Sequence, residues 1–384
     1  MKYFLFILIP NLITSKIINI NNFGIINDEN SLNASIKNAN SFYNAIKNAS
    51  AEDIVLVSEN ETLYYLPTEE YLENIYNIKI QIDGKIILYN DTDYWPKSKS
   101  NTYFNAIDIR NSTNLTITGK GNIDGQGYIW WLKFLKNDII RCRPTIINIE
   151  NSINILIEKI SLYNSPRFNI YANYVLDFKV RFMKIWVDVR QQKNILNNFK
   201  LPIFPFNTDG VDVKGINIHI YNMTISNYDD SVAVKPSKNQ NLFLENQNMN
   251  CSKNVLVENI NIKYGAGLSI GSVSTNNNYC VRNVIFKNIH ADTPLKLIYI
   301  KTEGEKNFNS LIENITYENI SATKPILWPI YIGPQQQKEP DGSGSGIWPN
   351  PNPNVDIKNI LFKNIYITGT TFKAGLLRCN ISNP

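Results

Sequence analysis

The sequence predicts an all-β protein, a parallel β-helix whose open end is covered by a short N-terminal helix. Three observations carry this prediction: a short apolar phrase that recurs along the chain, the unequal spacing of its copies, and one helical segment ahead of them. Hydrophobic residues make up 43% of the 384 residues, which is enough for one large core. No polar tract or charge block is long enough to be a linker, so we expect a single domain.

The recurring phrase reads asparagine, apolar, any, apolar, any, asparagine, apolar, with small variations. Its apolar residues alternate with period two, which is typical of a short β-strand. Asparagine suits the bends at the ends of such strands, because its short amide tolerates left-handed backbone and hydrogen-bonds locally. Copies begin at Asn154, Asn217, Asn254, Asn283, Asn314 and Asn359, and an earlier relative begins at Asn114.

A unit of this kind cannot bury its apolar face alone, whereas stacking unit upon unit buries that face against its neighbours. Adjacent copies lie tens of residues apart at unequal distances, which corresponds to one or two laps of a solenoid. A solenoid accepts unequal spacing because loops of any length can leave at a corner. A β-propeller or a large sandwich is the alternative, and either explains that spacing less well.

The segment from residue 30 to residue 50 places Ile36, Tyr43 and Ile46 at near-helical spacing. We interpret it as a capping helix over the first lap of the solenoid. The two short apolar stretches that follow it, DIVLVS and TLYYLP, are typical of first strands.

Residues 1–16 have the pattern of a secretory signal peptide: Lys2, then an apolar run, then small polar residues. The run is too short for a stable bilayer anchor, although a retained anchor is the alternative. We therefore expect a secreted, extracellular protein whose folded domain spans residues 17–384. Sequons that are candidate glycan sites lie at Asn33, Asn48, Asn60, Asn90, Asn111, Asn114, Asn222, Asn250, Asn314, Asn319 and Asn380.

The four cysteines would be oxidised after secretion, but their pairing stays open at this point. They lack the Cys-x-x-Cys or Cys/His spacing of a metal site, so we expect neither a metal nor another cofactor. A net charge of +5 favours acidic partners such as anionic polysaccharides, with scattered solvated lysines as the alternative. No alternation of basic and aromatic residues points to nucleic acid. We expect a monomer. The cysteines are Cys142, Cys251, Cys280 and Cys379.

Three aspartates stand out in residues 206–236. Asp209 precedes the pair Asp229 and Asp230 by about one lap of a solenoid, so their side chains would converge on one face. Converging carboxylates suit glycoside hydrolysis, which needs a protonated acid for the leaving oxygen and an ionised base for water. Repulsion between them helps to hold one of them protonated. Turn chemistry and a calcium site are the alternatives.

Ordered motifs over most of the chain carry a resemblance to a known family. They are GNIDGQGYIWW at residues 121–131, the Arg-Pro and Asn-Ser-Pro stretch at 143–170, NTDG from Asn207, DDSVAVKP from Asp229, GAGLSIGS from Gly265 and YIKT from Tyr299. With these motifs the chain resembles glycoside hydrolase family 28, the polygalacturonases, and most closely its fungal exo-acting members.

The resemblance implies a right-handed parallel β-helix of the pectin-lyase-like kind and an inverting hydrolysis of α-1,4-linked galacturonate in pectin. It implies Asp229 as the general acid and Asp209 with Asp230 as the pair that activates water. An inverting site would separate acid and base by about 6.5–9.5 Å. Lys301 would bind a substrate carboxylate, and the other substrate-binding residues implied by motif position are Lys235, Asn207, Tyr299 and Gly267. For Lys235, a solvated lysine is the alternative.

Two departures from the family pattern bear on activity. The family's Gly-His-Gly is Gly265-Ala266-Gly267 here, and its Arg-Ile-Lys is Tyr299-Ile300-Lys301. Losing one hydrogen-bonding group of an active site often costs about 10²-fold in rate. A tyrosine hydroxyl also cannot replace the two-pronged guanidinium.

The chain has two histidines, His219 and His290, and both fall in or beside strand phrases, where we expect structural roles. We therefore expect a polygalacturonase-type hydrolase with reduced activity. The alternatives are a pectin-binding lectin or decoy, and then a structural surface protein.

Overall fold

The computed structural model of the protein describes residues 15–139, 143–191, 204–237, 251–275, 278–303, 309–334, 353–370 and 373–378. Within these ranges the chain forms 24 parallel strands of one continuous sheet, which winds as the predicted right-handed parallel β-helix. A search of the same ranges finds no helix with the length and apolar character that crossing a membrane requires. The predicted signal peptide falls almost wholly on residues 1–14, outside the described residues.

The strands are, in chain order, β1 Ile17–Asn19, β2 Ile54–Val57, β3 Thr62–Tyr65, β4 Leu72–Glu73, β5 Lys79–Ile82, β6 Lys85–Leu88, β7 Ile107–Arg110, β8 Thr113–Thr118, β9 Asn122–Asp124, β10 Ile147–Glu150, β11 Ile153–Glu158, β12 Ser161–Tyr163, β13 Ile170–Arg181, β14 Lys184–Trp186, β15 Val211–Asn227, β16 Val232–Val234, β17 Ser252–Tyr264, β18 Leu268–Ser274, β19 Cys280–Asp292, β20 Ile298–Glu303, β21 Ser310–Thr323, β22 Ile330–Pro334, β23 Val355–Thr368 and β24 Gly375–Leu377. The α-helices are α1 Leu32–Lys47 and α2 Tyr128–Leu135, and short 3-10 helices span Ile20–Phe23 and Val189–Gln191.

One side of the solenoid, which we call the cleft sheet, carries the candidate site. It stacks β4, β7, β10, the starts of β13 and β15, then β16, β18, β20, β22 and β24. Apolar side chains alternate into the interior: Val211 and Val213 are fully buried, as are Val232 and Val234 on the next lap. The polar residues between them therefore face outward.

Lap length varies, as the spacing of the repeats predicts. Val211 lies beside Val232, only 21 residues later, whereas Thr316 lies beside Leu361, 45 residues later. The long connections all adjoin the cleft sheet, apart from the one that contains α1. Three long connections lead into a strand of the cleft sheet: those between β6 and β7, between β9 and β10, and between β14 and β15. Two long connections follow a strand of that sheet: those between β16 and β17 and between β22 and β23.

The asparagines of the repeated phrase form the bends, as predicted. Asn217, Asn254 and Asn283 all have left-handed backbone, with φ between 54° and 58°. Each amide nitrogen donates to the amide oxygen of the lap before: Asn254 to Asn217 at 3.1 Å and Asn283 to Asn254 at 3.3 Å. We call these stacks the asparagine ladders; the first continues through Asn314 and Asn359, and a second runs through Asn259, Asn288, Asn319 and Asn364.

Helix α1 is the predicted N-terminal helix. It begins after Ser31, whose Oγ accepts from the Ala34 amide at 3.1 Å, and it packs on β3 and β4 at the first laps. Tyr43 and Ile46 are buried, whereas Ile36 is 44% exposed and lies on the outer side of the helix.

A disulfide joins Cys251 to Cys280 across neighbouring laps, at the start of β17 and β19. Cys142 and Cys379 lie outside the described residues. The histidines have the structural places predicted for them. His219 Nε2 lies 2.7 Å from Glu258 on the adjacent strand, and His290 Nδ1 lies 2.9 Å from the Ser321 hydroxyl.

Candidate active site

The three aspartates converge, as predicted. Asp209 precedes β15, and Asp229 with Asp230 lies in the turn between β15 and β16, one 21-residue lap later. The Gly210 amide donates to the Asp230 carbonyl at 2.9 Å, which holds the two laps together. One carboxylate oxygen from each aspartate lies within 4.8 Å of the others.

The nearest oxygens are this close because the acids stand on adjacent residues and on neighbouring laps, and parallel strands stack about 4.8 Å apart. The 6.5–9.5 Å expected for an inverting enzyme refers to whole acid and base carboxyl groups and stays a prediction. Asp209 and Asp230 are almost fully buried, whereas Asp229 is partly exposed.

Asn227 builds the turn that carries the acid pair. Its amide nitrogen donates to the carbonyls of Thr208, Asp229 and Asp230 at 2.8–3.1 Å, and its oxygen accepts from the Ser231 hydroxyl at 2.9 Å. The turn also depends on Gly265, whose φ is +68°. A Cβ there would lie 2.5 Å from the Asn227 amide oxygen, so only glycine fits.

The floor of the cleft is one outward-facing row of the cleft sheet. Strand register aligns its members from lap to lap, and the cavity above the acids, of about 270 Å³, adjoins further cavities along the same sheet. The row runs through Asp108, Asn148, Tyr171, Asp212, Ala233, Ser269, Tyr299, Tyr331 and Leu376.

Asp230 is the carboxylate held in its ionised form. Burial opposes its charge, but Lys301 Nζ at 2.6 Å and Lys235 Nζ at 3.8 Å outweigh that effect. The Ser269 hydroxyl donates to its other oxygen at 2.6 Å. The pKa of Asp230 therefore lies below its usual value.

Asp229 and Asp209 are shifted in the opposite direction. Burial, followed by the charge of Asp230, raises the pKa of Asp229, although the amides of Asn207 and Asp230 donate to its oxygens at 3.0 and 2.9 Å. Burial, followed by the charges of Asp212 and Asp229, raises the pKa of Asp209 well above its usual value. The cluster thus combines one carboxyl whose pKa is lowered with two whose pKa is raised.

Lys235 is part of the cluster and not a solvated lysine. Its Nζ lies 3.2 Å from Asp212, which is fully buried, and 3.8 Å from Asp230. Burial opposes the charge on this ammonium, but the neighbouring aspartates hold the pKa of Lys235 above its usual value. Lys301 is likewise held charged by Asp230, against the effect of burial.

The ammonium groups of Lys301 and Lys235 help to decide whether the three aspartates form an acid cluster or a calcium site. Both form ion pairs with Asp230 Oδ2. A divalent cation among the three aspartates would have to compete with these two positive charges, which disfavours the calcium alternative.

The remaining predicted residues have different places. Asn207 lines the cleft, and its oxygen accepts from Arg143 Nη2 at 2.9 Å. Tyr299 also lines the cleft and packs with Ala266 and Tyr331, so an apolar cluster stands where the resemblance leads one to expect a histidine and an arginine.

Gly267 lies behind the acid pair and not in the cleft wall. Its carbonyl accepts from the amides of Ser231 and Val232 at 2.8 and 3.2 Å, and its φ is +73°. The structure therefore gives Gly267 a backbone role in place of the predicted contact with substrate.

The comparison with protein families agrees with this geometry. The model of the family described as glycosyl hydrolases family 28 matches residues 60–384, which include every acid and lysine of the cluster. The chain belongs to glycosyl hydrolases family 28. The predicted family is thus confirmed, whereas the likeness to its fungal exo-acting members remains a prediction.

Curated family 28 relatives match the chain at moderate identity. A probable endo-xylogalacturonan hydrolase A from Aspergillus oryzae is 27% identical over 269 residues, 69% of this chain and 60% of that protein. A polygalacturonase from Juniperus ashei is 27% identical over 341 residues, 85% of this chain and 56% of that protein. The match spans less than two thirds of the length of these relatives.

Solved family structures share the fold. A polygalacturonase from Erwinia carotovora ssp. carotovora superposes with a TM-score of 0.67 at 18% identity, covering 95% of this chain and 97% of that one. An endo-xylogalacturonan hydrolase from Aspergillus tubingensis gives 0.64 at 18% identity, covering 95% and 99%. At this identity the likeness supports the β-helix and no more.

Sequence reasoning missed several members of this family 28 site. Asp212 and Ser269 belong to the cleft floor, and the alternation of their strands with buried valines and isoleucines could have identified them as outward-facing. Arg143 was noted only as part of a motif, and its contact with Asn207 spans 64 residues. Asn227 ends β15 and Lys296 lies in a turn, and at such places no periodic pattern indicates which way a side chain points.

Proposed function

We propose that the protein is a glycoside hydrolase that cleaves α-1,4-galacturonosidic bonds of polygalacturonate or a related pectic galacturonan. The observation that carries this proposal is the convergence of Asp209, Asp229 and Asp230 in one cleft beside Lys301. Membership of family 28 supports it, and so do the names of relatives, which refer to polygalacturonase and endo-xylogalacturonan hydrolase activities.

Each carboxyl has a distinct role in the proposed reaction. Asp229 is the least buried of the three and has a raised pKa, so it supplies the proton that moves to the glycosidic oxygen as the bond to the anomeric carbon breaks. A water oxygen bonds to that carbon while Asp230, held ionised by Lys301, accepts one proton from the water. Asp209 lies beside Asp230 and orients the water.

Positive charge complements the substrate in this proposal. Each galacturonate bears one carboxylate, and Lys301 and Lys235 make the cleft positive next to the acids. We further propose inversion at the anomeric carbon and exo-action. Proton NMR of the first-formed anomer tests inversion. The size of the first products released from polygalacturonate tests exo-action.

A reducing-end assay on polygalacturonate tests the central proposal. We expect turnover by the unsubstituted chain and its loss in Asp229→Asn, with the melting temperature retained as the control for folding. Absence of turnover in both forms, together with binding of oligogalacturonate in calorimetry, would instead support the second candidate function, a pectin-binding protein. The packing of Ala266 with Tyr299 favours that candidate, since alanine brings no hydrogen-bonding group and tyrosine brings no positive charge to these two positions.

We also propose secretion as a glycosylated single-domain monomer. Asn314 and Asn319 use their amides within the asparagine ladders, so glycans belong on exposed sequons outside them, such as Asn60 and Asn90. Mass spectrometry of glycosidase-treated protein recovered from culture medium tests both points. Recovery only from cells, or glycans on Asn314, would contradict the proposal.

A further inference from the structure

Lys296 is a buried cation in the cleft that none of the predicted roles uses. It lies in the turn between β19 and β20, where it is 5% exposed. It lines the same cavity as Asp229, Asp230 and Lys301. Its position in a turn, and not in a recognised motif, is the reason that sequence reasoning passes over it.

The ammonium of Lys296 differs from those of the other two buried lysines of the site. Lys235 and Lys301 each form an ion pair with an aspartate, at 3.2 and 2.6 Å. Within the part of the chain that the structure describes, Lys296 has neither an ion pair nor a hydrogen-bond acceptor. Its ammonium instead lies against two aromatic rings, 4.3 Å from the centroid of Tyr299 and 5.8 Å from that of Tyr331.

The ammonium of Lys296 borders the cavity and is suited to an anion there. An ammonium has three donors, and ring faces are weak partners for them, so an acceptor that enters the cavity gains a charge-assisted hydrogen bond. Burial, followed by the charge of Lys301, lowers the pKa of Lys296 to about 8. The ionisable groups that face it are Asp229, Asp230, Lys301, Tyr299 and Tyr331.

The surroundings of Lys296 are the two positions where the family pattern is broken. Ala266 and Tyr299 replace the histidine and the arginine, and both belong to the aromatic cluster against which Lys296 lies. The small side chain and the ring make an apolar niche beside the acids. The positive charge that the arginine would bring is thus supplied from another turn of the chain.

We propose that Lys296 binds the carboxylate of a galacturonate residue in the cleft, alongside Lys301. This inference rests on the proposed function for the nature of the sugar. Lys301 is already engaged by Asp230, so Lys296 is the lysine whose donors are available to an incoming anion. A bound carboxylate supplies the acceptors that the described residues do not.

The test compares Lys296→Met and Lys296→Arg with Lys184→Met. Methionine keeps much of the length without the charge, arginine keeps the charge, and Lys184 also lies on an aromatic ring but away from the cleft. The substrates are an oligogalacturonate and its methyl ester. We expect Lys296→Met to raise KM for the acid about tenfold to a hundredfold, the effect of losing one charge-assisted hydrogen bond.

The same variant should leave KM for the methyl ester unchanged, and both Lys296→Arg and Lys184→Met should stay close to the unsubstituted chain. In the unsubstituted chain KM for the acid should rise as the pH passes about 8, and in Lys296→Met this rise should be absent. Equal loss with acid and ester, or no loss with either, would overturn the role of Lys296 while the hydrolase stands.

If the unsubstituted chain turns over neither substrate, the proposed hydrolase is wrong, and calorimetry decides the inference on its own. Oligogalacturonate that binds the unsubstituted chain at least tenfold more tightly than Lys296→Met then supports it. Equal affinity of the two proteins, or binding by neither, would overturn it.

Discussion

The asparagine ladders can be compared with the acid turn, by which we mean Asp229 and Asp230 together with Asp209 on the lap before. The same winding stacks similar side chains in both places, but stacking satisfies the amides and sets the carboxylates against one another. In the ladders each amide both donates and accepts, so Asn254 satisfies Asn217 and is satisfied by Asn283. In the acid turn Asp209 and Asp230 come together in the same way, but ionised carboxylates only accept and repel one another.

The comparison teaches that the solenoid gains stability from repetition at one corner and gives some up for chemistry at another. The acid turn needs Lys301 and Lys235 to offset the charge of Asp230, and the amide of Asn227 to hold its backbone carbonyls. The ladders need no counter-charge, since each amide bonds to the asparagine of the lap before, and the first ladder begins on Asp177. Substitutions in the acid turn should therefore change activity most, and substitutions in the ladders should change only stability.

The largest effect is expected for Asp229→Asn, which removes the proposed proton donor and keeps the shape of the side chain. Loss of a general acid should lower kcat about 10²–10⁴-fold, measured by reducing-end release from polygalacturonate. The matched control is Asn283→Asp, which places a carboxylate in the ladder and should leave kcat within about twofold. Equal losses of activity in the two variants would break the comparison.

Lys301→Met should affect both activity and stability, because Asp230 loses its closest counter-charge. Removing one member of a buried pair destabilises a fold by about 3–5 kcal/mol, which denaturant unfolding can measure. Adding Asp230→Asn to the same chain should restore most of that stability but none of the activity. Failure of the second substitution to restore stability would mean that the ion pair is not the cause.

Asn283→Ala should destabilise the ladder without touching the chemistry. Alanine in left-handed backbone costs about 1–2 kcal/mol, and the lost amide hydrogen bonds add to this. Asn283→Gly separates the two contributions, since glycine accepts the same φ and lacks only the amide. If alanine and glycine were equally destabilising, the left-handed bend would not be the source.

Asp209→Asn should produce the smallest change in stability, and the sign of that change depends on pH. The pKa of Asp209 is raised in the folded state, so the unsubstituted chain loses stability as the pH rises above the ordinary aspartate value. Asparagine does not titrate and avoids that loss. The variant should therefore gain melting temperature relative to the unsubstituted chain as the pH is raised from about 4 to 7, with little difference below about 4. A difference that is independent of pH would contradict the raised pKa.

The sequence predicts the lap of the acids well because strand period and turn chemistry are local properties. The course of the chain through a turn is not a local property. The sequence therefore does not indicate that Lys296, in a turn, and Asn227, at the end of β15, direct their side chains toward the site. The sequence does not predict the disulfide between Cys251 and Cys280 either. Lap length varies between 21 and 45 residues, so the spacing of two cysteines does not show whether they lie on neighbouring laps.

Helical spacing predicts helix α1 but not which of its side chains are buried. Ile36 shares that spacing with Tyr43 and Ile46 and is nevertheless exposed, because spacing alone does not say which side of a helix a partner covers.

The long connections enter and leave the winding on either side of the cleft sheet, while the rungs between them keep their register. A segment can therefore be lengthened or trimmed at these borders without shifting a single lysine or aspartate below it. In a fold of this design, loops that border the cleft can change in length while the positions of the cleft side chains are kept.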